Sequence, residues 1–412
     1  VAGRPVIASP GYACAVDGRI EFGERALAQA QLHPRTTENR YWRDLNTTPL
    51  HQFGRRVRHL ADLAYLQLEQ LRAQAGNPSE AVFAVPGSLS HEQLALLLGI
   101  AQACRLTPVA LIDSAVAAAA AALGPGRWVH VDLQQHQAVL TTLDVTTQVT
   151  RDRVEVLPGL GVNALRAACV QAITGAFVTH CRFDPLHHAA TEQLLYDHLP
   201  QWLELLATHA EVNVQLAWRG ARFDTRVTHA MLVQAVSPLL SRLRAALPGD
   251  REAVASHRLA AQPGFREVFG DTAALAARAV FEGLPAELGA APDGIRLVTA
   301  LPTVAAPAIA AAGPAALHAV THVLERHTAT ALSQAPLYLL ASGGCARQAT
   351  PLAWCHVELG AHGAELVGSD PRVRVNGEAI DGPVELVAGD RISFVGAVAQ
   401  FTAIAVLSPN DA

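Results

Sequence analysis

The chain has 412 residues, of which half are apolar and 5% aromatic, and its 31 Lys and Arg face 36 Asp and Glu for a net charge of −5. One hydrophobic core stops growing well below this length, so two or more domains are predicted. The small, mixed charge lacks the basic surface that nucleic acid or an anionic membrane would attract, so neither partner is predicted.

Apolar runs and cysteines give two further expectations. The longest apolar runs, such as 115–123 and 305–312, are shorter than the ~20 residues of a spanning helix, so no membrane span is predicted. The six cysteines form no C-x-x-C pair and no regular spacing, which indicates buried thiols and neither zinc nor a disulfide framework. Without paired cysteines or a signal-like segment, the predicted location is the cytoplasm.

The first third of the chain alternates strand and helix patterns. Short apolar runs around Asp17-Gly18 predict a hairpin, and leucines at helical spacing predict a helix over 60–74. Four more elements are predicted in order: a strand at 81–86, a helix at 91–104 capped by Ser90, a strand at 109–112, and an alanine-rich helix to Leu123 capped by Asp113 or Ser114.

The middle of the chain continues this alternation, which is typical of an α/β protein. Three consecutive strands are predicted, after which Gly159 and Gly161 lead into a helix. The predicted elements are strands at 128–133, 138–145 and 149–157, helices at 163–180, 189–208, 229–247 and 272–283, and two strands within 210–228.

The C-terminal part has a different pattern. Residues 291–320 are rich in Ala and Pro and are predicted to be a linker. Residues 321–412 contain short strand patterns separated by turns, with a short helix at 321–327, and predict a small all-β domain. The predicted domains are therefore 1–290 and 321–412, joined by the linker.

Several segments, taken in order over residues 8–287, resemble one known family. They are Ser9-Pro-Gly-Tyr12 through Gly23-Glu-Arg-Ala26 to His33-Pro34, Ala84-Val85-Pro86 with the helices at 93–103 and 112–119, Val129-His-Val-Asp132-Leu133, and Glu252 to Arg258. This succession resembles the seventy-kilodalton heat-shock chaperones and their actin-like relatives. The resemblance implies an actin-like, ribonuclease H-like fold of two lobes.

The nucleotide motifs of that family are altered in this chain. Asp132 and Leu133 stand where the family's second phosphate loop begins, but Gln134 to Gln137 replace its glycines. Glycine lets backbone N–H groups approach phosphate and adopt positive φ, and bulky side chains do not. In the adenosine segment only Ser256 and Arg258 match, and the double glycine is absent.

The resemblance implies roles for the positions that remain. Asp132 would coordinate magnesium through water or position a hydrolytic water, and Gly159, Gly161, Ser256 and Arg258 would contact ATP. The family's first phosphate hairpin would precede Ser9, so the residues before Val1 bear on nucleotide binding. No direct metal ligand is predicted, because the spacing of His180, Cys181, His187, His188 and His198 fits no zinc pattern.

The segment Val373-Arg-Val-Asn376-Gly377 with Leu386 to Ile392 resembles the second half of a forkhead-associated domain. The arginine and serine with which that family reads phosphothreonine have no match, so a degenerate sandwich is expected.

Two hypotheses about function follow from these patterns. The first is a catalytically degenerate actin-like protein, without ATP or magnesium, that acts as a binding or scaffold component on protein partners. The alternative is a divergent ATPase chaperone that closes around ATP and Mg²⁺.

Overall fold

The computed structural model describes residues 7–54, 57–285, 295–303 and 320–404, the last range with short gaps. The chain divides into two compact units, Val1–Ala308 and Ile309–Ala412. The described residues are a mixture of helices and strands in several sheets. The α/β content expected from the sequence is therefore confirmed.

The first unit begins with a small three-stranded sheet of order β2-β1-β3. The predicted hairpin is present, with Asp17 and Gly18 at positive φ in its turn. The elements of this region are β1 (Ala13–Val16), β2 (Arg19–Phe22), α1 (Glu24–Leu27) and β3 (Thr37–Glu38).

Two parallel strands with three helices follow, as the sequence predicts. The elements are α2 (Leu60–Gln74), β4 (Glu80–Val85), α3 (His91–Ala103), β5 (Thr107–Asp113) and α4 (Ser114–Ala122). Ser90 caps α3, because its Oγ accepts a hydrogen bond from the N–H of Gln93. Asp113 caps α4, because its Oδ1 accepts from the N–H groups of Ala115 and Val116.

An antiparallel meander and a long helix form the centre of this unit. They are β6 (Gly126–Leu133), β7 (Gln137–Val145), β8 (Gln148–Pro158) and α5 (Val162–Cys181). The helix buries Leu165, Cys169, Ile173 and Phe177 in the main core cluster.

Helix α5 also bears on the question of a membrane span. Among the described residues it is the one helix long and apolar enough to cross a membrane by length and composition, and 39% of its apolar window is buried inside the protein. Since its apolar side chains contribute to the main core, the role that the structure gives it is that of a core helix.

A helix, a hairpin and a second helix come next, at the predicted places. They are α6 (Ala189–Leu206), β9 (Glu211–Trp218), β10 (Ala221–Thr228) and α7 (His229–Ala245). Their buried leucines and valines join those of α5 in the same core.

The last part of the first unit completes a six-stranded sheet of order β12-β11-β6-β7-β8-β14. The elements in this part of the chain are β11 (Glu252–Ser256), α8 (His257–Ala260), α9 (Phe265–Phe269), β12 (Ala273–Leu275), α10 (Ala279–Glu282), β13 (Leu297–Val298) and β14 (Ala300–Pro302). Strands β11 and β12 run parallel to β6, beside the antiparallel meander.

Two predictions fail in this region. The continuous helix predicted over 272–283 is wrong, because 273–275 pair with β11 as a sheet edge and only one helical turn follows. Part of the predicted linker is structured, since β13 pairs with β5 and β14 with β8. Residues 286–294 and 304–319 lie outside the described residues.

The second unit consists of two antiparallel sheets that share one core cluster. The strands are β15 (His322–Glu325), β16 (Thr328–Ala331), β17 (Leu337–Leu340), β18 (Cys345–Ala346), β19 (Ala353–Leu359), β20 (Ala364–Val367), β21 (Val373–Val375), β22 (Glu378–Ala379), β23 (Val384–Glu385), β24 (Arg391–Phe394) and β25 (Gln400–Ile404). The helix predicted at 321–327 is wrong, because β15 pairs with β16 and β25 and buries Val323. The predicted Asn376-Gly377 turn lies outside the described residues.

All six cysteines are free thiols. Cys14, Cys104, Cys169 and Cys355 are buried as expected, whereas Cys181 and Cys345 are partly exposed. Burial raises the pKa of the Cys169 and Cys355 thiols to about 12, so both remain protonated and behave as small apolar side chains.

Candidate functional site

The residues implied by the chaperone resemblance lie at one edge of the six-stranded sheet. Strands β6 and β11 are parallel neighbours, with Val131 opposite Ala255, so their carboxyl ends meet at this edge. The Oγ of Ser256 accepts a hydrogen bond of 3.1 Å from the N–H of Leu133. Arg258, on the one-turn helix α8, reaches back to the end of β6.

Asp132 uses both carboxylate oxygens within the protein. Its Oδ1 lies 2.6 Å from Nη2 of Arg258, and its Oδ2 accepts a 3.2 Å hydrogen bond from the side chain of Gln134. The carboxylate is 12% exposed. Nε of Arg258 also donates to the carbonyl of Leu133 at 2.9 Å. The guanidinium therefore holds the end of strand β6 as well as the aspartate.

The electrostatics of Asp132 oppose a role as general base. Burial raises the pKa of this carboxyl, but the charge and hydrogen bond of Arg258, together with His130 and the hydrogen bond from Gln134, outweigh burial and hold the pKa below its usual range. A general base works best with a pKa near the operating pH. Asp132 thus has the properties of a permanently ionised partner in a salt bridge.

The loop at 134–137 packs against the start of helix α5. The N–H of Val162 donates to the carbonyl of Gln134 at 2.8 Å, and the N–H of Asn163 donates to the carbonyl of Gln135 at 3.0 Å. The first N–H groups of a helix lack partners inside the helix and are the groups that bind phosphate in many proteins. Here carbonyl oxygens of the loop occupy two of them.

Gly159 and Gly161 support this packing. Gly159 has φ +76°, and its N–H donates to the carbonyl of His136 at 3.0 Å. A Cβ at Gly161 would lie 2.5 Å from the backbone of both Gln137 and His136. The contact between the loop and the helix therefore accounts for a glycine at both positions.

The side chains that replace the expected glycines form their own polar network. The amide of Gln137 donates to Oε1 of Gln134 at 3.0 Å and reaches Ser88 at 3.5 Å. Nε2 of His136 lies 2.9 Å from the carbonyl of Asn39, and burial lowers the pKa of that imidazole. Within the described residues, the buried amide nitrogen of Gln135 has no hydrogen-bond partner.

A second salt bridge with a buried carboxylate lies nearby, and it was not predicted from the sequence. Asp113, predicted only as a possible helix cap, is fully buried and also contacts Nη1 of Arg151 at 2.8 Å. A Cβ at Gly87 would lie 2.7 Å from its Oδ2. The sequence signal for the pair was absent, because Arg151 is 38 residues away on β8.

The histidine-rich group has ordinary packing partners. His188 lies against Trp218, and His198 stacks on Trp202, while His180 contacts the hydroxyl of Thr225. Across the part of the chain that the structure describes, no group of three or more His, Cys, Asp or Glu side chains is arranged to hold a metal ion.

Comparisons with known proteins add no family assignment. The sequence matches no protein-family model, and no curated protein is significantly similar to it.

Proposed function

We propose that this chain is a catalytically silent actin-like protein of the chaperone type that acts as a binding or scaffold component. The observation that carries the proposal is that contacts within the protein already use the groups at which a phosphate would bind. Loop carbonyls accept hydrogen bonds from the N–H groups of Val162 and Asn163, and Arg258 neutralises Asp132. A phosphate would have to displace these contacts before it could bind.

The actin-like assignment is supported by the order of the elements. An antiparallel meander, a helix, and then two strands parallel to the first strand of the meander are compatible with an actin-like lobe. The two antiparallel sheets of the second unit and their common core likewise support a forkhead-associated-like sandwich. In this proposal the partners are proteins and the second unit contributes to binding them.

One observation favours the alternative, a divergent ATPase. Ser256 and Arg258 contact Leu133 and Asp132 directly, although the two segments are more than 120 residues apart in sequence. A ligand that pulled Arg258 onto a phosphate would free the carboxylate for hydrated magnesium. The alternative therefore requires a change of partner at Arg258.

Calorimetric titration of the full chain with ATP and with ADP, each with Mg²⁺, tests the proposal. We expect no binding at micromolar concentrations and no phosphate release. The Asp132→Asn variant is the matched test of the alternative, because it removes the carboxylate that would hold hydrated magnesium and leaves Arg258 in place to bind a phosphate. Micromolar ATP binding by the wild type that Asp132→Asn abolishes, or ATP turnover, would overturn the proposal.

A further inference from the structure

The first unit contains a second polar site, separate from the edge that holds Asp132. A cavity of about 360 Å³ lies between the segment 12–40, the start of helix α5 and the first half of helix α6. Its polar lining includes Tyr12, Glu38, Arg40, Arg166 and Tyr196. Pockets of roughly 300–1,000 Å³ are the usual size for small-molecule ligands. The cavity thus has room for a small organic molecule.

Long-range hydrogen bonds hold the walls of this cavity together. The hydroxyl of Tyr12 donates to Oδ1 of Asn163 at 3.2 Å. Gln193, which is buried on α6, accepts from the N–H of Gln31 at 2.8 Å and donates to the carbonyl of Leu27 at 3.2 Å. These bonds join residues more than 150 positions apart. The cavity is therefore built by the fold and is not a gap between loose segments.

The charges that line the cavity are unbalanced. Within the part of the chain that the structure describes, the guanidinium groups of Arg40 and Arg166 have no ion-pair or hydrogen-bond partner. Glu38 is the one acidic residue in the lining, and its Oε1 accepts from the N–H groups of Asn39 and Arg40. Two unpaired cations against one carboxylate give the cavity a net positive charge.

Tyr196 adds a neutral donor beside one of these cations. Burial raises the pKa of its phenol, as do the neighbouring Glu192 and Tyr12, while the nearby Arg166 lowers it. The hydroxyl therefore stays protonated at neutral pH. A donor next to a planar guanidinium suits the paired oxygens of a carboxylate or a phosphate.

We propose that this cavity binds a small organic anion whose carboxylate or phosphate group is held by Arg166 and Arg40, with the hydroxyl of Tyr196 as a further donor. Glu38 limits the site to a ligand with one anionic group, because a second would face its carboxylate. The apolar side chains of Leu27, Ala30 and Pro34 in the same lining contact the remainder of the ligand. This site is independent of the proposed loss of nucleotide binding.

The test titrates the full chain with inorganic phosphate and, separately, with acetate, at constant ionic strength. Binding is read from calorimetry and from the rise in thermal unfolding midpoint, which grows with ligand concentration when only the folded state binds. The variants are Arg166→Gln, Arg40→Gln and the charge-conserving Arg166→Lys. Arg222→Gln, on the exposed face of hairpin β9–β10, is the matched control for loss of one positive charge.

We expect one site per chain, with affinity reduced about tenfold or more by Arg166→Gln and by Arg40→Gln. Arg166→Lys should retain part of the affinity, and Arg222→Gln should match the wild type. Binding of phosphate alone or acetate alone identifies the preferred group and supports the site. Absence of binding by the wild type, or binding that both glutamine variants leave unchanged, would overturn the proposal. Asp132→Asn separates this site from a nucleotide site, since it leaves the cavity intact.

Discussion

Arg258 and Asp132 are 126 residues apart in sequence, yet their side chains meet at 2.6 Å at the end of strand β6. The aspartate is nearly buried, whereas the arginine is half exposed. The pair therefore neutralises a charge inside the protein with a cation that is still in contact with water. The residue most expected to do chemistry is thus held in a salt bridge in this structure.

We expect Arg258→Met to lower the free energy of unfolding by about 1–3 kcal/mol, because it leaves the Asp132 carboxylate without its charged partner. The value stays below that of a fully buried pair because solvent screens the half-exposed guanidinium. Asp132→Asn in the same background should recover part of the loss. Urea unfolding of the two single variants and the double variant gives the coupling energy.

The coupling energy between Asp132 and Arg258 should also depend on pH. Because the pKa of Asp132 is lower in the folded protein, its stabilising effect is present above about pH 4, the unfolded value, and is lost as pH falls through the folded value. A coupling energy of zero at pH 7 would show that the pair contributes nothing.

The contact between the 134–137 loop and helix α5 can be tested at Gly161. Gly161→Ala should lower the free energy of unfolding by about 2 kcal/mol or more, since its Cβ would lie 2.5 Å from backbone atoms that cannot move aside without breaking the loop. Gly175→Ala is the matched control in the same helix, where a Cβ meets nothing within 4 Å. It should stabilise the protein by about 0.5–1 kcal/mol through helix propensity. Equal effects of the two substitutions in urea unfolding would contradict this account.

The buried pair of Asp113 and Arg151 predicts a larger effect. Asp113→Ala removes the cap of α4 and leaves the guanidinium, 22% exposed, without its partner, so we expect a loss of about 3–5 kcal/mol. Asp113→Asn keeps a capping oxygen and should lower the free energy of unfolding by only about 1 kcal/mol. The exposed Asp224→Ala serves as control and should stay within about 0.5 kcal/mol of the wild type. If Asp113→Ala behaves like the control, neither the cap nor the pair contributes to stability.

The sequence predicts best where the decisive interactions are local. Helix α2 begins and ends at the predicted residues, and the caps Ser90 and Asp113 act on N–H groups two or three positions away. The helix predicted over 272–283 failed because pairing with β11, a distant partner, made 273–275 a strand. Local propensity does not contain that information.

Prediction of the candidate site from the sequence is limited in the same way. The sequence identifies glutamines where glycines were expected, which indicates that the phosphate loop is altered. It does not reveal that the carbonyls of Gln134 and Gln135 reach the start of α5, because those hydrogen bonds join positions 28 residues apart. Nor does it bring Arg40 to the same cavity as Arg166. Such contacts depend on the tertiary fold.

His130 gives the last prediction, a pH dependence of stability. This histidine lies on β6 with its ring buried and, within the described residues, its Nδ1 without a hydrogen-bond partner. Burial lowers the pKa of its imidazole, although Asp132 and Asp113 oppose the shift. The unfolded chain therefore binds a proton at about pH 6.5 that the folded protein binds only at lower pH, so acidification below about 6.5 favours unfolding.

The measurement compares wild type with His130→Phe by urea unfolding between pH 8 and pH 5. The wild type should lose stability relative to the variant as pH falls below about 6.5, since phenylalanine has no proton to bind. His136 and His257, whose pKa values burial also lowers, remain in both proteins, so only the difference between the two curves reports on His130. The exposed His51→Asn should follow the wild type at every pH. A constant difference between wild type and His130→Phe across this range would show that His130 can take up a proton without opening the sheet that buries it.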